Sequence, residues 1–493
     1  MKLNRTNVKD ASRAPERIIQ FGEGNFLRAF VDWMIQEMND KADFNSSVVV
    51  VQPIDKGMVD VLNSQDGLYT LVAKGLKNGQ PVKDVQLIKS ISRGINPYAQ
   101  FDEYLKLAEN PDMRFVISNT TEAGIAFNER DKADMVPPSS YPAKLTVLLH
   151  HRFKTFNGDA QKGLIIMPCE LIDRNGDKLK KCVNQYCELW SLGADFTKWV
   201  NEACVFTNTL VDRIVPGYNP ETAKEVNASA GYEDSLVVEG EQFHLWVIEG
   251  SQWIKNEFPA DKAGLNVLFV DDVTPYRTRK VRILNGPHTV LTPVAYLSGV
   301  EYVREAVEHP VLGKFIHQAI YNEIVPALNM PEAELVSFAN DIVDRFRNPF
   351  VKHAVMSISL NSVSKYKARV LDTVKEYLAK KGQLPNNLVV AMAALIAFYR
   401  GTLNGNPINV QDEAVVMEVF NSAWAKYDAK QLDAAGVVNA ILTNTTLWGE
   451  DLTQIKGYAD MTACYLSKIL ADGMFKVVEE CVNNSGQCGC CCK

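Results

Sequence analysis

The chain changes character once, and that change bounds what it can fold into. Up to about residue 270, short apolar runs with the length of buried strands alternate with helical stretches. Beyond about residue 277 helix follows helix: 311–328, 331–346, 350–360, 364–380, 387–400, 412–427 and 458–482. Alternating strand and helix builds a parallel sheet covered on both faces, and an unbroken run of helices builds a separate body. The sequence therefore predicts an α/β domain over 1–275, a mostly α-helical domain over 276–480, and a disordered cysteine-rich tail over 481–493.

The α/β part opens on a strand, a glycine turn and a helix. Arg17-Ile18-Ile19-Gln20-Phe21 reads as the strand and Gly22-Glu23-Gly24-Asn25-Phe26-Leu27-Arg28 as the turn. A helix follows to about residue 39, with Phe26, Phe30 and Trp33 along one side. Glycines let the backbone approach a pyrophosphate, and a helix N-terminus supplies free N–H groups and a positive dipole end. This is the setting of a Rossmann-like dinucleotide-binding domain, although Leu27 stands where G-x-G-x-x-G has its third glycine. The next strand pattern, 46–52, ends at Gln52 with Asp55 just beyond and no adjoining arginine to meet a 2′-phosphate, so NAD is expected over NADP.

Further strand patterns at 114–118 and 163–167 run into Asn119-Thr120-Thr121-Glu122 and Pro168-Cys169-Glu170-Leu171; one at 204–206 leads to Asn208 and Asp212-Arg213. Ligands of open α/β sheets lie off the carboxyl ends of strands, so these are the expected cofactor and substrate loops. Helical stretches at 141–156 and 177–191 read as crossovers.

Just past the change of character stands Lys280-Val281-Arg282-Ile283-Leu284-Asn285-Gly286-Pro287-His288, a K-x-x-x-x-N-x-x-H pattern. On a regular helix Asn285 sits about 140° and His288 about 80° round from Lys280, one broad face. An amine of lowered pKa can take a hydroxyl proton, an amide can steady the alkoxide, and an imidazole can hold the substrate. On spacing alone, a solvated lysine, an Asn-Gly break and a core histidine account for the stretch better; the glycine turn near the N-terminus shifts the reading.

The totals exclude other classes. At 493 residues, 46% apolar and 23% charged, with net charge −7 and no basic stripe, the chain suits a soluble enzyme and not a nucleic-acid binder. No apolar run is long enough to span a bilayer, and the first residues lack a secretory apolar core, which points to the cytoplasm. Five of the ten cysteines (Cys169, Cys182, Cys187, Cys204, Cys464) are scattered as reduced thiols would be; the other five (Cys481, Cys488, Cys490, Cys491, Cys492) crowd the C-terminus without zinc-site spacing. No metal site is expected.

Together Gly22 to Ala29, Thr120-Thr121-Glu122, Val211-Asp212-Arg213-Ile214, Lys280 to His288 and Arg345-Phe346-Arg347-Asn348-Pro349 resemble the mannitol dehydrogenase family of polyol-specific long-chain dehydrogenases. The resemblance spans residues 17 to about 478 and implies NAD-dependent hydride transfer without metal. It implies Lys280 as the acid/base assisted by Asn285 and His288, and Asp212 as a substrate residue. Phe21, Gly22, Glu23, Gly24, Asn25, Phe26, Arg28, Thr120, Thr121 and Glu122 are the implied cofactor residues. Within the family, Ser118 to Gly124, Pro168 to Asp173 and Ala394 to Gly401 look closest to members that reduce keto-hexuronates. Relatives acting on mannitol or fructuronate carry histidines where Leu27 and Phe30 stand and an asparagine where Leu171 stands, which leaves Asn285 alone as oxyanion donor or Asn208 as a stand-in. Pro287 can kink the catalytic helix.

A hexuronate needs a cation for its carboxylate, and arginine meets one as a fork. Arg345 and Arg347, and Lys365 and Arg369 on one helix face, are the candidates, with Arg369 first and Arg213 in reserve. The rival readings are a dehydrogenase for another polyol or hexuronate, and a non-catalytic NAD-binding protein.

Overall fold

The computed structural model describes residues 1–8, 12–77 and 79–483. The chain forms two compact units, and the division falls between Thr274 and Pro275.

In the first unit six strands share one sheet: β1 Glu16–Phe21, β2 Ser47–Val51, β3 Ile91–Ile95, β4 Phe115–Ser118, β5 Ile165–Pro168 and β6 Val205–Phe206. Their order is β3-β2-β1-β4-β5-β6, with every neighbouring pair parallel. This is the doubly wound order of dinucleotide-binding sheets, with its reversal at β1 and β4. Buried on both faces, such strands must be apolar throughout, which is why β2 is four valines after a serine. Alternate side chains go to opposite faces. Ile18, Val48, Val50 and Ile117 pack with Met34, Ile35 and Met38 of helix Val31–Ala42. Ile19, Val49, Val51 and Val116 pack with Leu145, Leu148 and Leu149 of helix Tyr141–Thr155 and Val183 of helix Asn175–Leu189.

Two smaller sheets complete the unit. One joins Tyr69–Lys77 to Gln80–Ile88 and Val238–Glu241; the other sets Leu245–Glu249 between Asn208–Asp212 and Val267–Val270. Of these strands only Val267–Val270 shows in the sequence as a strand.

The second unit is helical. At its centre lies Asn386–Phe398, buried along its whole length because it is apolar on every side. Helices Gly286–Leu297 and Tyr458–Asp472 pack against it. Several of the expected helices divide. The stretch 458–482 breaks at Gly473, whose φ of 85° ends one helix before Met474–Asn483 begins. The stretch 350–360 is helical only over Val355–Ile358, with Ala354 bridged to Tyr302 ahead of it. Stretches 311–328 and 364–380 each contain a π-helical turn, Ala319–Ile324 and Lys367–Leu371. No described helix is long and apolar enough to cross a membrane.

The boundary of the tail needs correction. Cys481 belongs to helix Met474–Asn483, where it is buried with Met474, Val477 and Val478 at helical spacing. Cys488, Cys490, Cys491 and Cys492 lie outside the described residues.

Candidate active site

The glycine turn ends β1 as the sequence predicts, but the helix after it comes in two pieces. Asn25–Ala29 stops at Phe30, whose φ of −124° and ψ of −73° are not helical, and Val31–Ala42 starts afresh. The two glycines differ. Gly22 has φ 120°, and a Cβ on it would lie 3.0 Å from the Asn119 carbonyl oxygen, so the fold itself requires glycine there. A Cβ on Gly24 would meet nothing within 4 Å. No side chain caps the helix that Gly24 opens, so its first N–H groups have no side-chain partner. A dinucleotide pyrophosphate suits this cradle: open space over a glycine, beside a helix start, at the reversal point of the sheet.

The side chains of the turn mostly hold the turn. Phe21 is buried in the core against Tyr104 and Tyr141. Phe26 stacks on Phe30 at 5.0 Å. Arg28, buried, donates to the Glu23 and Leu236 carbonyls and to the Asn25 side chain, and lies over the Tyr69 ring. Glu23 is buried too; the Met58 N–H donates to it at 3.3 Å, and burial raises its carboxyl pKa. Gln52 folds into its own loop, donating to the Ile54 and Asp55 carbonyls at 2.9 Å each, while Asp55 remains exposed.

The second expected loop has an organiser that the sequence did not single out. Glu170, just past β5, is buried and accepts from Ser118 Oγ, Thr120 N and Thr120 Oγ1 at 3.0, 2.9 and 2.9 Å. Thr121 follows with φ 74°, and Glu122 is exposed. Leu171 is 64% exposed. Asn208, the candidate stand-in as oxyanion donor, gives one amide hydrogen to Glu249 Oε1 at 2.9 Å, and its carbonyl accepts from Asp177 N at 3.1 Å. Asp212 is buried at the end of its strand. Arg213 is no reserve for a substrate carboxylate either. Its guanidinium is buried, donates to the Glu241 and Ala29 carbonyls, and lies 4.3 Å from the Trp33 ring centroid.

In the second unit the Lys280–His288 stretch is not a regular helix. Helix Thr274–Lys280 passes into a π turn, Val281–Asn285, before helix Gly286–Leu297. The Gly286 N–H donates to the Val281 carbonyl, five residues back. With i to i+5 bonding, the residue one turn on is the fifth. Lys280 and Asn285 are five apart, so they stand one turn apart on the same side, and the separation of about 140° that a regular helix imposes is overturned. Pro287 explains part of the change: it has no N–H to donate back to Ile283, and it falls in the first turn of a new helix, where proline is tolerated. Arg282 fastens the turn from behind, donating to Thr373 Oγ1 at 2.6 Å and to Asp372 and Glu376.

Lys280 and Asn285 are half-buried. The Asn285 carboxamide has no hydrogen-bond partner among the described residues. His288 stacks 4.2 Å from Phe346 and 5.1 Å from His353. Burial first, then the charges of His353, Arg345 and Arg369, hold its pKa well below that of a free imidazole. The Leu284 carbonyl is its backbone partner, while its Nε2 is buried without one. A carbonyl only accepts, so a proton on Nδ1 would meet it and leave Nε2 with a lone pair to present.

The structure brings several of the expected substrate residues to this place. A Cβ on Gly286 would lie 3.3 Å from the Arg369 carbonyl oxygen, because the π turn Lys367–Leu371 packs against Val281–Asn285. Arg369 is half-buried, and its one hydrogen bond among the described residues is a long one to Thr289 Oγ1, 3.4 Å. Lys365, one turn before it, donates to the Ile358 carbonyl at 2.7 Å. Arg345 reaches His288 by its charge, whereas Arg347 is exposed and acts on His317 and Tyr321. Among the described residues no three His, Cys, Asp or Glu side chains gather as metal ligands would.

Residues 16–262 match the family model for the mannitol dehydrogenase Rossmann domain, and 272–470 that for the mannitol dehydrogenase C-terminal domain. The chain is 54% identical over 479 residues to an altronate oxidoreductase of Bacteroides thetaiotaomicron, covering 97% of this chain and 99% of that one. With a Bacillus subtilis altronate oxidoreductase it shares 46% identity over 486 residues, 99% of each. In fold it is similar to a substrate-free D-sorbitol dehydrogenase (TM-score 0.78, 23% identity, 97% and 100% of the two chains). A Pseudomonas fluorescens mannitol 2-dehydrogenase, solved with NAD and D-mannitol, has a TM-score of 0.66 at 21% identity over 98% and 100%. On two family models that together span nearly the whole chain, this protein belongs to the mannitol dehydrogenase family.

Proposed function

We propose that this protein is an NAD-dependent oxidoreductase that interconverts D-tagaturonate and D-altronate. The observation that carries the reading is Arg369, a half-buried guanidinium with no ion pair among the described residues, set beside the unpartnered Nε2 of His288. A half-buried cation with no counter-charge among the described residues attracts an anion. A polyol supplies no anion and a sugar acid does. The full-length relatives named altronate oxidoreductase support the same substrate class.

Residues 1–275 hold the cofactor in this reading, through the backbone of Gly22 to Asn25 and the Thr120–Glu122 loop, and residues 276–480 act on the substrate. NADH, when bound, supplies a hydride. Lys280 gives the proton to the carbonyl oxygen during reduction and takes it back during oxidation. Asn285, with its amide free, steadies the negative oxygen. Neutral His288 accepts from a substrate hydroxyl through Nε2. Arg369 takes the carboxylate, and Arg345 and Lys365 add positive potential. Asp55, exposed past β2, carries a charge that repels a 2′-phosphate and so supports NAD. A cytoplasmic location goes with an NADH-consuming catabolic step.

The test is a turnover screen with NADH and with NADPH against tagaturonate, fructuronate and fructose. Tagaturonate with NADH should lead by kcat/KM, and turnover should survive dialysis against a chelator. A lead for fructose would remove the sugar-acid reading. Equal or better turnover with NADPH would reverse the cofactor assignment.

A further inference from the structure

A sugar acid has to meet two places at once. Its carbonyl goes to Lys280 and Asn285, and its carboxylate goes to Arg369. The two stretches of chain that carry these residues touch directly. A Cβ on Gly286 would lie 3.3 Å from the Arg369 carbonyl oxygen, so backbone meets backbone with no side chain between. Close packing of a glycine sets how near the two π turns lie, and it leaves open how far one is offset along the other.

Arg282 fixes that offset. It belongs to the turn Val281–Asn285, and Lys280 stands just ahead of that turn. Its side chain is buried and leaves the turn for the other stretch. There it donates to Thr373 Oγ1 at 2.6 Å, to Asp372 Oδ2 at 3.1 Å and to Glu376 Oε1 at 3.3 Å. All three partners lie on helix Asp372–Lys381, which continues the π turn that holds Arg369. A planar fork bonded to three groups on one helix admits a narrow range of angle and offset. Arg369 reaches back across the same contact, to Thr289 Oγ1 at 3.4 Å. A side chain needed only to hold two helices together could be apolar, since a buried ion pair replaced by well-packed apolar groups is often neutral or stabilising.

We infer that Arg282 is a positioning residue that fixes the spacing between the acid/base turn and the carboxylate site, and so favours keto acids whose two ends match that spacing. The inference rests on the sugar-acid reading above. The Arg282 guanidinium is taken up by protein partners, so it acts through Lys280, Asn285 and Arg369. An acid anchored at Arg369 presents its carbonyl to Lys280 only while the offset holds, and a misplacement of about 1 Å can cost on the order of a hundred-fold in rate. A ketose without a carboxylate is not anchored at that end and gains nothing from the offset.

The experiment is a double-mutant cycle on tagaturonate kinetics with Arg282→Met and Arg369→Met. Arg282→Met alone should lower kcat about ten- to a hundred-fold, with KM within about three-fold. On the Arg369→Met background the same change should lower kcat by about three-fold or less, because no anchored end remains to be misplaced. Arg282→Lys, which keeps the charge and a donor, should recover part of the loss. Equal losses on both backgrounds would overturn the inference and leave Arg282 as a support for the π turn alone. So would an unchanged kcat in Arg282→Met, or normal tagaturonate kinetics in Arg369→Met. If Arg282→Met does not fold, Arg282→Lys takes its place in the cycle. Wild-type enzyme run in parallel separates the two readings. Equal losses in an enzyme that still prefers the acid sink the inference alone, and a wild type that turns over only uncharged ketoses sinks the sugar-acid reading with it. Turnover of fructuronate in place of tagaturonate moves the cycle to that acid, where the same outcomes decide.

Discussion

The glycine turn of the first unit and the π turn of the second are built in opposite ways. Around the glycine turn the side chains are closed on the protein: Arg28 on carbonyls and Asn25, Gln52 on its own loop, Glu170 on Ser118 and Thr120. What stays open there is backbone, at Gly24 and the helix start. Around the π turn the backbone is closed, with Gly286 bonded back to Val281 and Arg282 tied to residues 372–376. What stays open there is side chain: Asn285, His288 Nε2 and Arg369. A diphosphate is the same in every dinucleotide and can be met by N–H groups alone, while one sugar acid among many has to be told apart by side-chain chemistry.

The sharpest test of this contrast is Lys280→Ala. NADH binding, followed by protein fluorescence, should stay close to normal, while turnover falls about 10²–10⁴-fold, the usual worth of a positioned acid/base. Near-wild-type turnover would take the acid/base away from the π turn.

Arg369→Met comes next. Tagaturonate KM should rise roughly ten- to a hundred-fold, the cost of a lost hydrogen bond to a charged group, with little change in kcat. A variant with unaltered kinetics would move the carboxylate elsewhere and dissolve the side-chain half of the comparison.

The two glycines test the backbone half. Gly24→Ala should leave the melting temperature of the cofactor-free protein alone, since a Cβ there meets nothing. It should weaken NADH by about ten-fold, in line with roughly 1–3 kcal/mol for an intruding methyl. Gly22→Ala should lower the melting temperature itself, because the strained residue costs about 1–3 kcal/mol of stability. If both variants behave alike, the distinction between a glycine for the fold and one for the ligand fails.

A last test, on stability and not on turnover, concerns Glu323 in the π turn Ala319–Ile324. Its carboxylate accepts from the N–H groups of Asn387 and Leu388 at the start of the central helix, and burial pushes its pKa up to about 8. The unfolded chain gives up this proton near pH 4.3, so stability should decline between there and about pH 8 and then level off. In Glu323→Gln the decline should be shallower across that window, read from melting temperatures. Parallel curves for variant and wild type would mean that Glu323 does not titrate there.

The sequence exposes the fold wherever burial writes a continuous apolar run, as in β1, β2, β4 and β5. It hides β3, where serine, arginine and glycine interrupt Ile91–Ile95 and hydrogen bonding to β2 does the work. In the candidate site, residue types are legible and their geometry is not. Lys280, Asn285 and His288 stand out as chemistry, but a regular helix is the natural assumption, and only Pro287 hints at the wider turn. Glu170 reads as a loop residue and Arg28 as a cofactor residue, because the partners they hold lie far along the chain, at Ser118 and Leu236. His353 is a lone histidine until the fold sets it against His288.

The π turn also makes active-site geometry depend on a count of residues. Deleting Val281 would leave the lysine, asparagine and histidine all in the chain and let an ordinary helix form in place of the wide turn. Lys280 and Asn285 would then be four apart and, at about 100° per residue, would still share a side. Because those two residues lie on either side of the deletion, helix Thr274–Lys280 would keep nearly its present phase against the rest of its unit. The phase is lost only if the wide turn relaxes to regular helix at full length, which sets Lys280 and Asn285 about 140° apart, so the turn and not the residue types presents these groups together.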